Sequence, residues 1–148
     1  MPTQPKVTFS HIGLCTADLD ASFRFYTQAL GFTLKRSIDE LGAPFDVLME
    51  VPNAKLRIHQ IQCGDMMLEL IGYIDSVPTG SAERRPMNQR GLTHMTLIVD
   101  DVYATAANVE KFGGTIIRES EINSPFGPLF FCTDPDGVRI ELMQPMPT

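Results

Sequence analysis

The chain has little concentrated positive charge: no Lys/Arg cluster exceeds the pair Arg84-Arg85, and the net charge is −6. Nucleic acids and anionic membranes are held by dense cationic surfaces, so neither is an expected partner. Cysteine is also scarce. Cys15, Cys63 and Cys132 are odd in number, lack CxxC spacing and stand among apolar residues, which points to reduced thiols rather than a disulfide framework. No apolar run approaches the roughly 18 residues of a membrane-spanning helix, and Met1 to Pro5 lacks the charged-then-apolar pattern of a secretory leader. A soluble, cytoplasmic protein is expected. Hydrophobic residues at 43% and charged residues at 20% form an ordinary globular mixture, and 148 residues suit one domain, 1–148.

What the chain does contain is a repeat. Ser10 to Ser37 and the stretch 83 residues later share six identities in 28 positions, among them His11 with His94, Asp18 with Asp101 and Gly31 with Gly114. Roughly two would be expected by chance at ordinary composition. The identities fall on a strand, at a helix start and at a helix stop, so the unit duplicated is βα with a histidine in its first strand. In the first half, residues 7–14 read as a strand. Asp18 is an N-cap, and Leu19, Phe23, Tyr26 and Leu30 line one helical face. Strands are expected at 32–38, 45–51, 56–62 and 66–71, with Cys63-Gly64-Asp65 as a hairpin turn. The linker is 76–91, rich in Pro and Gly. The second half repeats the scheme with strand 92–99, helix 101–112, strand 115–119, loop 120–127, strand 128–133, and a last strand 138–144 after Asp134-Pro135-Asp136-Gly137. The modules thus run 7–75 and 92–144. In each, the helix should cover one sheet face and leave the other open.

Each half also sets a glutamate in an apolar strand: Glu69 in Met66-Met67-Leu68-Glu69-Leu70, and Glu141 in Val138-Arg139-Ile140-Glu141-Leu142. A buried carboxylate without a partner costs several kcal/mol, so a partner is expected. A divalent metal is the most economical one, and imidazole suits transition metals. His11, Glu69, His94 and Glu141 together would neutralise such an ion and leave up to two octahedral positions for water or substrate.

The motifs Ser10-His11-Ile12, Phe25-Tyr26 with Leu30-Gly31-Phe32, Leu68-Glu69-Leu70, Leu92-Thr93-His94, and Asp134-Pro135-Asp136-Gly137 with Ile140-Glu141-Leu142 resemble those of the vicinal oxygen chelate superfamily. The resemblance covers Thr8 to Gln144. It implies an α+β fold of two βαβββ modules (the glyoxalase/bleomycin resistance/dioxygenase fold) forming a curved mixed sheet around a metal cavity. It also implies a homodimer acting on a small-molecule substrate, with His11, Glu69, His94 and Glu141 as ligands of one divalent ion (Zn, Ni, Co, Mn or Fe).

The four-ligand pattern departs from extradiol dioxygenases and fosfomycin-modifying transferases, which resemble a set of two His and one Glu. Proton-transfer chemistry remains, since a metal on a substrate carbonyl acidifies the α-C–H by stabilising an enediolate. Bacterial glyoxalase I resembles the chain in its ligands but has an arginine where Cys15 stands, and an asparagine shortly after the second ligand where Leu70 to Tyr73 offers none. Methylmalonyl-CoA epimerase resembles it in Val51-Pro52-Asn53-Ala54-Lys55-Leu56 but usually has glutamine in place of Glu69. The expected activity is therefore a metal-dependent epimerase or isomerase. Its substrate would be a small keto-sugar or keto-cyclitol such as 2-epi-5-epi-valiolone, or a methylmalonyl-CoA-like thioester. Glyoxalase I, a binding or resistance protein, and a dioxygenase are the alternatives. Glu69 and Glu141 are the expected acid/base pair. His59 joins them if the 63–65 loop has three residues and falls outside the cavity if it has two. Arg57, of the same parity, is either an anion contact or a solvated edge residue, and the edge residue is the expectation.

Overall fold

The computed structural model describes residue 1 and residues 3–148. The first half runs β1 (Ile12–Cys15), α1 (Leu19–Arg24) continued by a π-helical turn (Phe25–Ala29), β2 (Thr33–Leu41), a short α2 (Phe45–Leu48), β3 (Leu56–Cys63) and β4 (Met66–Tyr73). The second half runs β5 (Met95–Ile98), α3 (Val102–Lys111), β6 (Thr115–Ser124), β7 (Gly127–Thr133) and β8 (Arg139–Met143). Each half folds into a four-stranded sheet of the same order, β1-β4-β3-β2 and β5-β8-β7-β6. In both, the first strand pairs parallel to the last and the other pairings are antiparallel. The fold is α+β, with two βαβββ modules.

The repeated aspartates act as the sequence suggests. Asp18 Oδ1 accepts from the Ala21 amide at 2.9 Å, and Asp101 Oδ1 accepts from the amides of Tyr103 and Ala104 at 3.0 and 2.9 Å. Each satisfies donors that a helix start leaves free. The helix stops differ by one residue from the gapless alignment. The π-helical turn adds a residue to the first helix, so Gly31 (φ 74°) corresponds to Gly113 (φ 94°) and not to Gly114. Gly114 is small for a different reason: a Cβ there would lie 2.6 Å from the Thr133 carbonyl oxygen and 2.7 Å from the Phe25 ring.

Three expected boundaries are corrected. Residues 45–51 form no strand: Phe45–Leu48 is a helical turn, and Glu50 and Asn53 take left-handed backbone (φ 57° and 62°). The run is apolar but does not alternate, and β3 already holds the place beside β2. Residues 120–124, expected in a loop, continue β6 after an irregularity between Ile117 and Ile122. The first strands are shorter than read, starting at Ile12 and Met95, because the residues before them have no ladder partner among the described residues.

Both modules share one core. Leu68, Leu70 and Ile61 from the first sheet, Ile140, Leu142, Phe130 and Cys132 from the second, and Phe25, Tyr26, Val102 and Val109 from the helices form a single cluster. Burying each large apolar side chain contributes about 1.5–3 kcal/mol, and the shared cluster commits the inner face of both sheets to this one interior. The residues that alternate with them therefore look outward, away from the other module. A smaller cluster of Ala54, Leu56, Ile58 and Ile71 forms where the segment around α2 folds back on the first sheet.

Candidate metal centre

Register places the four predicted ligands. Gly13 pairs with Glu69 and Thr96 with Glu141, so His11 and His94, two residues earlier, share the outward face of their glutamate. In the first module His11 Nε2 lies 3.6 Å from Glu69 Oε2. In the second, His94 stands edge-on to the Phe131 ring, centroids 5.2 Å apart, and Phe131 is the direct cross-strand partner of Glu141. Thr96 Oγ1 donates to Glu141 Oε1 at 3.4 Å.

The two histidines are oriented alike. His11 Nδ1 pairs with Ser10 Oγ at 2.8 Å and His94 Nδ1 with Thr93 Oγ1 at 2.9 Å. In the tautomer where Nδ1–H donates to that hydroxyl, Nε2 carries the lone pair, the arrangement a metal-binding histidine uses. The hydroxyl residue before each histidine was visible in the sequence as part of the repeat. Its role was not, because nothing in the spacing says which ring nitrogen it engages.

Neutral imidazole nitrogen beside carboxylate oxygen is a suitable donor set for a divalent transition ion. Each module carries one such histidine–glutamate pair. Among the described residues, no three His, Cys, Asp or Glu side chains of one chain converge on a common point. This follows from the architecture: each His–Glu pair lies on a sheet face turned away from the shared core, and the two faces point apart.

His59 is corrected. Cys63 pairs with Met66, so the hairpin turn is the two residues Gly64-Asp65, and His59 falls opposite Leu70 on the inner face. There its ring packs 4.9 Å from Phe23, and Nδ1 pairs with Ser37 Oγ at 2.8 Å. Burial, then the neighbouring Arg57 charge, lowers its proton affinity. It does not meet Glu69. Arg57 reaches Asp20 at 3.7 Å, an edge ion pair. The residue that does meet Glu69 is Gln60, which the sequence reading missed; the two-residue turn was the signal that would have found it. Arg139 was missed as well. It lies on the outward face of the second module, its guanidinium 5.1 Å from the Phe131 ring centroid, and donates to the Arg85 carbonyl in the linker at 2.8 Å. A cavity of about 300 Å³ opens beside His94, walled by Ile12, Leu14, Met95 and Val138 and by Arg85 and Pro86 of the linker.

This duplicated plan has known counterparts. The family model of the Glyoxalase/Bleomycin resistance protein/Dioxygenase superfamily matches residues 8–142. The chain belongs to that superfamily. It is 31% identical to a probable lactoylglutathione lyase of Vibrio cholerae, over 90% of this chain and 88% of the relative. It is 26% identical to a lactoylglutathione lyase of Pseudomonas putida, over 99% and 90%. Among solved structures, a glyoxalase family protein from Bacillus cereus superposes with a TM-score of 0.84 over 99% of both chains at 15% identity, a likeness of fold. The trypanothione-dependent glyoxalase I of Leishmania major matches with a TM-score of 0.61 and 26% identity, over 90% of this chain and 84% of that one. For the described residues, no helix is long and apolar enough to cross a membrane.

Proposed function

We propose that the chain is a metal-dependent enzyme of the glyoxalase I type, moving a proton between adjacent carbons of a small thiol–2-oxoaldehyde adduct. The observation that carries this reading is the pair of matching half-sites, each a histidine whose Nδ1 is engaged by the preceding hydroxyl and a glutamate on the same face. The names of the relatives support this activity better than the epimerase expected from the sequence. Because each half-site faces out from its own chain, the full set is His11 and Glu69 of one copy with His94 and Glu141 of a second. The exposed stretches before β1 and β5 fit this assembly. They are edges without a ladder partner among the described residues, with Phe9 and Leu92 69% and 76% exposed, and such edges are usually paired or covered.

The bound ion would be held by those four side chains and would polarise a substrate oxygen, acidifying the neighbouring C–H. The protein's own contribution is the proton path. A carboxylate, Glu69 or Glu141, takes the proton from the carbon bearing sulfur. It returns the proton to the adjacent former carbonyl carbon, while the first carbon's hydroxyl proton passes to the second carbon's oxygen, so the first oxygen becomes the thioester carbonyl and the second a hydroxyl. The change is an internal redox isomerisation and needs no external oxidant. Positioned general-base action of this kind is worth about 10²–10⁴-fold in rate. The cavity beside His94, where aliphatic side chains meet the charged Glu83, Arg85, Asp136 and Arg139, accommodates a small polar organic group.

Cys15 and the Leu70 to Tyr73 stretch lack the arginine and asparagine that the resemblance associates with glutathione, so the thiol carrier stays open and epimerisation of a keto substrate is the second reading. Both are tested with metal-free protein reloaded with Zn, Ni, Co, Mn or Fe. Thioester formation from the methylglyoxal adducts of glutathione and trypanothione is expected with at least one ion. Deuterium wash-in to keto-acid, keto-sugar and acyl-CoA substrates without thioester formation would favour the epimerase. Neither activity with any ion would overturn the enzymatic reading.

A further inference from the structure

The two glutamates sit at equivalent positions of the repeat, yet their cross-strand partners differ in kind. Opposite Glu69 is Gln60, whose Nε2 donates to Glu69 Oε2 at 2.8 Å in a half-buried setting. Opposite Glu141 is Phe131, which offers no donor. Glu69 is thus held through Oε2 by an amide that is itself fixed in the middle of a continuous eight-residue ladder. Among the described residues, the Glu141 carboxylate has only the 3.4 Å hydrogen bond from Thr96 Oγ1. The Glu69 side chain is also well covered, 17% exposed, with the His11 ring beside it.

We infer that Gln60 is a positioning residue for Glu69: its amide fixes the carboxylate rotamer so that Glu69 and His11 Nε2 present their lone pairs together to the ion. This inference rests on the metal-centre reading above. An amide suits the task because it donates without carrying charge. It restrains the carboxylate and leaves the neutral balance of two glutamates and a divalent ion unchanged, whereas Lys or Arg there would compete with the metal. Hydrogen-bond partners of metal ligands typically govern about 10–100-fold in affinity. By the same geometry, Glu141 is the less restrained carboxylate, since no described residue bonds its second oxygen.

The test is Gln60→Leu, which keeps the side-chain bulk and removes the donor. Gln62→Leu is the control, two residues along on the same face, where the amide serves only the Gly64 carbonyl at 2.8 Å. Zn and Co affinities are read by competition with a chromophoric chelator, together with the visible spectrum of the Co form. Gln60→Leu is expected to bind ~10-fold or more weakly than wild type, with an altered Co spectrum and with turnover recovered at excess metal. Gln62→Leu should match wild type in all three. Recovery by excess metal distinguishes a misplaced ligand from a misfolded sheet, which added ion would not repair. Equal affinity and spectrum for Gln60→Leu and wild type would overturn the role of Gln60 alone. A wild-type protein that takes up none of these ions would overturn the metal centre and this inference together.

Discussion

The Tyr26 hydroxyl donates to Asp134 Oδ2 at 2.8 Å, and both side chains are buried, with exposures of 0% and 3%. The bond ties the first module's helix to the β7–β8 turn of the second. The other carboxylate oxygen accepts the backbone amides of Asp136 and Val138 at 2.9 and 2.8 Å, so one side chain both shapes the turn and joins the modules. Tyr26→Phe removes the donor and strands a buried carboxylate. It should destabilise the fold by about 1–3 kcal/mol in denaturant unfolding, with far-UV dichroism unchanged. A loss below 0.5 kcal/mol would contradict this reading.

The same residue gives a pH dependence. Burial raises the Asp134 carboxyl to about 6, against the lowering effect of the Tyr26 and backbone hydrogen bonds. The folded chain then holds a proton that the unfolded chain has lost, so this group favours the fold most below about pH 4. The advantage is lost as pH rises through about 6, by about 3 kcal/mol in all. Asp134→Asn should remove that slope. The stability of wild type relative to the variant should fall between pH 4 and 7, and parallel curves would contradict the assignment.

His59 lies against Phe23 and Ser37 on the inner face, so His59→Gln should leave metal affinity and kcat/KM unchanged. The expected cost is in stability, about 1 kcal/mol for a half-buried packing residue. A drop in metal affinity would contradict the placement of His59 away from the Glu69 face.

Gly114→Ala should destabilise strongly, because the added methyl meets the Thr133 carbonyl and the Phe25 ring and neither can withdraw. Gly31→Ala meets no atom within 4 Å and carries only the strain of its positive φ. The first should therefore cost more than the second in thermal unfolding; the reverse order would contradict the packing.

Much of this was legible in the sequence where one residue decides the outcome locally. Asp18 and Asp101 cap their helices, and the repeat carries the two βαβββ modules. His11, Glu69, His94 and Glu141 share outward faces in pairs because strand alternation fixes them once the strands are known. What was not legible depended on counting residues between elements. The hairpin turn of two residues, Gly64-Asp65, decides whether His59 or Gln60 faces Glu69, and composition alone does not reveal its length. The extra residue of the π-helical turn moved the helix stop from Gly114 to Gly113. The segment 45–51 was apolar enough for a strand, but hydrophobicity without alternation does not say which way a chain turns. That the half-sites face apart follows from the shared core, a relation between elements distant in the chain.

Subunit mixing distinguishes metal sites completed by two copies from sites held within one. His11→Ala and His94→Ala each damage every site when alone. If sites are shared between copies, a mixed dimer holds one site with both lesions and one with none. Unfolding and refolding the two variants together at equal amounts should then restore about a quarter of the wild-type tight metal content, half of one site pair in half of the dimers. Metal content in the mixture no higher than the average of the two parent variants, with mixed dimers present, would contradict sites completed by two copies.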